Sequence, residues 1–177
     1  MKHELFNKNI ITNKKAITCS PPILFPQERD WSCSIACIRT LLSAVSTSVE
    51  KEDFYIKKYG LKPHPYYSKD IKRLHILDNY NVLYGCEKKY KFDDILNLAQ
   101  DGFYIMLESA VNCGHWLVLL GYFPLKNKDN ISEHKILLYD PYYDDIKLMN
   151  ADEFINMWID FNYANTKIEK DFIAIKK

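Results

Sequence analysis

The chain has 177 residues, a formal net charge of +1 and a charged fraction of 27%, which suits one domain with its own core and excludes a disordered chain. Lys and Arg are scattered along it, so no basic face is offered to nucleic acid or to an anionic membrane. Five cysteines, an odd count in a chain too long to need disulfide staples, point to reduced thiols.

Met1 to Ser20 is polar and lysine-rich without an apolar signal-peptide core. It reads as an N-terminal arm, residues 1–20, ahead of one domain over 21–177. The longest apolar run, around Trp116 to Leu120, is too short to span a bilayer. The expectation is a cytoplasmic protein; delivery into a host cell by a specialised secretion system fits the same features.

Pro21 to Pro26 reads as an extended lead-in, since each proline turns its predecessor away from helix. A helix follows over 33–46, with Ile35, Ile38, Leu41, Leu42 and Val45 making one buried stripe and Ser32 as its N-cap. A second helix spans Glu50 to Tyr59 and stops at Gly60. Ser68 would cap a third, carrying Ile71, Leu74 and Leu77. Asn81 to Cys86 reads as a short strand, and Lys91 to Gln100 as a helix with Phe92, Ile95, Leu96 and Ala99 inward.

The second half is strand-like: Phe103 to Glu108, His115 to Tyr122, Lys135 to Tyr139 and Asp171 to Ile175 are short apolar runs. Ser109 to Gly114, Lys126 to Glu133 and Pro141 to Asp145 separate them as loops. A late helix covers Ala151 to Phe161, with Asn150 as its cap. Helices first and then a mostly antiparallel sheet make an α+β fold.

Four residues in this frame carry a chemical pattern. Cys33 opens a helix, where unpaired N–H groups favour an ionised thiol. His115 follows Gly114 at the mouth of an apolar strand, and Asp140 ends the next one. An imidazole activates a thiol, and a carboxylate holds the imidazole's tautomer. Gln27, six residues before Cys33, would supply a side-chain donor to an oxyanion beside the Cys33 N–H. Singly, each has a plainer reading: a buried thiol, a core histidine, an Asp-Pro turn. Their joint occurrence in this order points to catalysis. His3 lies in the arm, His64 between prolines, His134 in a polar loop, and His75 within the third helix. Cys113 adjoins His115 in sequence but has no helix start to serve it, and Cys37 reads as core. Cys33 and Cys37 have no second pair at metal-ligand spacing, so neither a metal nor a cofactor is expected.

Gln27, Cys33, the strand His115-Trp116-Leu117-Val118-Leu119-Leu120-Gly121-Tyr122 and Asp140-Pro141 resemble the motifs of papain-like cysteine proteases, specifically the bacteriocin-processing peptidase family and its stand-alone relatives. The blocks are short, although the order of elements follows from about residue 22 to 175. A branch of that fold known as guanylyl cyclase domain proteins is closer still, with its Gly-His-aromatic strand and Pro-Tyr-Tyr turn. The resemblance implies a papain-like fold, with Cys33 as nucleophile, His115 as acid and base, Asp140 as orienter and Gln27 as oxyanion donor. It further implies a peptide or protein substrate for a monomeric enzyme. Ser34 stands where the family has glycine, and Ser32 where it has aspartate. A glutamine deamidase using the same triad, a nucleotide cyclase and a catalytically silent binding module remain open. The chain has no glycine-rich phosphate loop to favour the cyclase.

Overall fold

The computed structural model describes residues 17–85, 90–109, 114–124, 134–158 and 171–177. In chain order its elements are β1 (Ile17–Thr18), α1 (Cys33–Val45), α2 (Glu52–Tyr59), α3 (Ser68–Arg73), β2 (Asn81–Tyr84), α4 (Phe92–Gln100), β3 (Tyr104–Ser109), β4 (His115–Phe123), β5 (Lys135–Asp140), β6 (Asp145–Asn150), α5 (Ala151–Met157) and β7 (Phe172–Lys176). The strands form one sheet in the order β2-β7-β3-β4-β5-β6, every neighbouring pair antiparallel. β1 pairs with the far end of β4, Ile17 opposite Tyr122. The last residues of the arm are therefore part of the sheet, and Cys19 behind them is buried.

Helices cover both faces of this sheet. On one side α1 to α3 pack over Met106, Trp116, Val118, Leu137, Tyr139 and Ile173. On the other, α4 and α5 pack over Ile105, Leu107, Leu117, Leu119, Leu138 and Ala174. This explains why β4 reads as an unbroken apolar run: it is buried on both faces and has no solvent side to call for alternation.

The predicted stripe of α1 is buried along its length. Burial contributes roughly 1.5–3 kcal/mol for each large apolar side chain, against tenths for helix propensity, so packing fixes this helix. Its polar side chains Arg39 and Thr40 are buried as well, and the reason is a strap. Residues 23–29 run back along α1, with Ile23 N–H on Ser43 Oγ (3.2 Å), Phe25 N–H on Thr40 Oγ1 (2.9 Å) and Arg39 on Glu28 (2.8 Å).

Several predicted boundaries move. α3 ends at Arg73, and His75 lies beyond it in the left-handed region at φ 56, its ring on Asp78 at 2.6 Å. Ser68 opens that helix rather than capping it; its hydroxyl and N–H are taken by buried Asp171. β6 was not foreseen. It is the outer strand, with no residue fully buried, so it carries little hydrophobic signal. Cys86, the loops over 110–113 and 125–133, and the end of the late helix fall outside the described residues.

Candidate active site

Three segments converge at one end of the sheet. The first is the start of α1. Ser32 precedes it, but among the described residues no side chain caps the helix. The Ser32 hydroxyl instead donates to Arg29 O (3.0 Å) and accepts from Arg29 N–H (3.1 Å). Ser32 O accepts from the N–H groups of Ile35 and Ala36, both at 3.0 Å. Among the described residues the N–H groups of Cys33 and Ser34 meet no acceptor, and they stand at the helix tip, where partial positive charge gathers. Cys33 itself is half-buried.

The second segment is the mouth of β4. Gly114 turns into the strand at φ 99, a conformation that costs glycine little, and His115 follows. Trp116, one residue on, is buried, and its indole N–H donates to Tyr66 O at 2.7 Å. The third segment is the end of β5, adjacent to β4.

Asp140 Oδ1 lies 2.8 Å from His115 Nε2. Nδ1 is then the ring nitrogen not engaged by Asp140, and Cys33 lies near enough to the imidazole to raise its pKa. Burial pulls the imidazole's pKa down, but the hydrogen bonds and negative charges of Asp140 and Cys33 outweigh it and hold the ring up at about 9. Burial works against the Asp140 anion in turn; His115 and Lys147 overcome it and hold this carboxyl well below the usual carboxylate range. Asp140 is 2% exposed. Oδ1 also accepts the Tyr142 N–H at 3.0 Å, and Oδ2 accepts the Lys147 ammonium at 2.5 Å. The half-exposed Tyr142 ring stands edge-on to His115, centroids 6.5 Å apart.

Gln27 sits where the first and third segments meet. Its backbone N–H donates to Pro141 O at 3.0 Å, tying the strap to the residue after Asp140. Its Nε2 donates to Arg29 O at 2.8 Å, the same carbonyl that receives Ser32. One Nε2 hydrogen is used there and the other remains. Glu52 holds this turn from below. Wholly buried, it accepts Glu28 N–H (3.0 Å) and Arg29 Nη1 (2.9 Å), while Arg29 also pairs with Asp53.

The structure thus brings His115 onto Asp140 with Cys33 close by, and fixes Gln27 to the turns on either side. Ser34, which stands where the resembled family has glycine, is 1% exposed, its hydroxyl enclosed in the interior. Cys37 donates to Trp116 O at 3.4 Å and is fully buried; burial first, then Cys33 and Asp140, push its thiol pKa well above normal. Burial pushes Cys19 up to about 12. His64 lies against Tyr66, and His134 is buried against the Tyr122 hydroxyl. His3 and Cys113 fall outside the described residues. Among the described residues no three His, Cys, Asp or Glu side chains gather as a metal site. Nor is any helix long and apolar enough to cross a membrane. Lys147, Tyr142 and Glu52 escaped sequence reasoning; the Pro141-Tyr142-Tyr143 turn was the only signal near them.

No family model matches the chain, and no curated protein matches its sequence.

Proposed function

We propose that this chain is a cysteine-dependent hydrolase of papain-like fold, a protease that acts on a specific peptide or protein through a Cys33-His115-Asp140 triad. The observation that carries the reading is the His115 ring, bonded to Asp140 at 2.8 Å through Nε2 and close enough to Cys33 for the thiol to raise its pKa.

The chemistry follows from that line of contacts. Cys33 gives its proton to His115 Nδ1, and the thiolate attacks the substrate carbonyl carbon. A C–S bond forms as the carbonyl π pair moves onto oxygen. The oxyanion meets the Cys33 N–H at the helix tip and the remaining Nε2 hydrogen of Gln27. Collapse breaks the C–N bond, and the leaving amine takes the proton from His115. Water then gives a proton to His115 and attacks the thioester. The C–S bond breaks, the acid leaves, and Cys33 recovers its proton. Asp140 stays ionised throughout and keeps Nε2 protonated, so the ring turns Nδ1 toward sulfur.

Iodoacetamide near neutral pH tests the nucleophile. Mass spectrometry is expected to find the adduct at Cys33 ahead of Cys19 and Cys37, and Cys33→Ala is expected to abolish hydrolysis while leaving the fold intact. Absent or unselective labelling of Cys33 overturns the reading. New N-termini in a substrate profile identify proteolysis, whereas an intact protein with a glutamine converted to glutamate identifies deamidation.

A further inference from the structure

The Asp140 carboxylate has a third partner that the triad does not require. Lys147 reaches it from β6, the strand beside β5, where Asp145 lies opposite Asp140 and Lys147 opposite Leu138. Positions two apart on a strand share a face, so Lys147 comes in diagonally on the Asp140 side of the sheet. The two carboxylate oxygens divide the work. Oδ1 takes His115 Nε2 and the Tyr142 N–H, and Oδ2 takes the ammonium. Lys147 therefore does not compete with the imidazole for one oxygen. Its ammonium also lies 4.4 Å from the Tyr143 ring centroid, which anchors it a second time.

We propose that Lys147 is a positioning residue for His115, acting through Asp140: it fixes the carboxylate with Oδ1 toward the imidazole and offsets the negative charge that the imidazole feels. The inference rests on the triad reading above for its consequence in catalysis. With the thiol ionised, Cys33, His115, Asp140 and Lys147 form a contact chain of alternating charge that sums to zero. Without Lys147 the chain carries one excess negative charge, inside a site where Asp140 is 2% exposed and water screens poorly. Among the described residues, the other titratable groups facing this chain are Cys37 on α1, Tyr139 on β5, and Tyr142, Tyr143, Asp144 and Asp145 in and beside the turn; the residue opposite His115 on β3 is Ser109, which bears no charge. None of them supplies a second cation to replace Lys147.

NMR titration of the imidazole, with the His115 signal assigned by its loss in His115→Asn, reads this directly. In Lys147→Met the His115 midpoint is expected to rise by about one unit, and in Lys147→Arg, which keeps the charge, to return to within a few tenths of wild type. A midpoint that stays put or falls in Lys147→Met overturns the proposal, and so does a failure of Lys147→Arg to restore it. A purely structural lysine would lower stability and leave the titration where it was. Iodoacetamide mapping of the same wild-type sample separates the two readings: without selectivity for Cys33 the nucleophile fails, while a moved imidazole midpoint still supports Lys147.

Discussion

Cys37 lies one helical turn beyond Cys33 on α1, but its thiol is enclosed in the core. It has no exposed surface and spends its S–H on Trp116 O, whereas Cys33 is half-buried against His115. Truncating Cys37 to alanine removes one buried sulfur and one weak hydrogen bond. Cys37→Ala is expected to cost on the order of 1 kcal/mol in urea unfolding and to leave Cys33 labelling unchanged. At this scale His115 was legible because a glycine followed by an apolar run marks a strand mouth, and Cys33 because the stripe of α1 dates the helix start. Lys147 was not: its role exists only through the β5–β6 register, which places it diagonally from Asp140. The surroundings of His75 and His134 were likewise hidden from local pattern. One sits past a helix end and the other is buried by a partner strand.

Among elements, the strap over residues 23–29 decides where Gln27 and Arg29 lie. It has no periodicity, and its bonds go to Ser43, Thr40 and Arg39 on α1 and to Glu52 on α2. Removing Glu52 leaves the Glu28 N–H and the Arg29 guanidinium without their shared buried acceptor. Glu52→Ala is therefore expected to speed amide exchange across residues 27–32 by roughly tenfold relative to the core of α1, with a parallel loss of hydrolysis. Equal protection in both proteins would count against the strap. Helices with a clear apolar stripe, α1 and α4, were readable from sequence to within a residue or two. α3 was overextended, because Leu74 and Leu77 fit a helical face but their backbone turns away after Arg73. β1 and β6 were missed because short or exposed edge strands carry no apolar signature.

For the whole molecule, the sheet buried on both faces couples stability to the charge state of the end that carries His115 and Asp140. His115 is held up from 6.5 to about 9. Its contribution is thus fully present below about 6.5 and lost as pH rises through about 9. Asp140, held low, contributes above its ordinary range near 3.8 and loses that contribution as pH falls through its lowered value. The stability difference between wild type and His115→Asn should therefore shrink by up to about 3 kcal/mol between pH 6.5 and 9, as read from urea midpoints across that window. A difference constant with pH would show that the imidazole gains nothing from its partners. The α+β class was visible in the order of elements, helices before strands. The strand order was not, because pairing between segments far apart leaves no local mark.

That order places β7, the farthest strand along the chain, between β2 and β3 rather than at an edge. Until it arrives, β2 has no strand beside it and the edge of β3 is open. A polypeptide still emerging from the ribosome can thus pair β4 with β5, and bring His115 to Asp140, before its last strand is made.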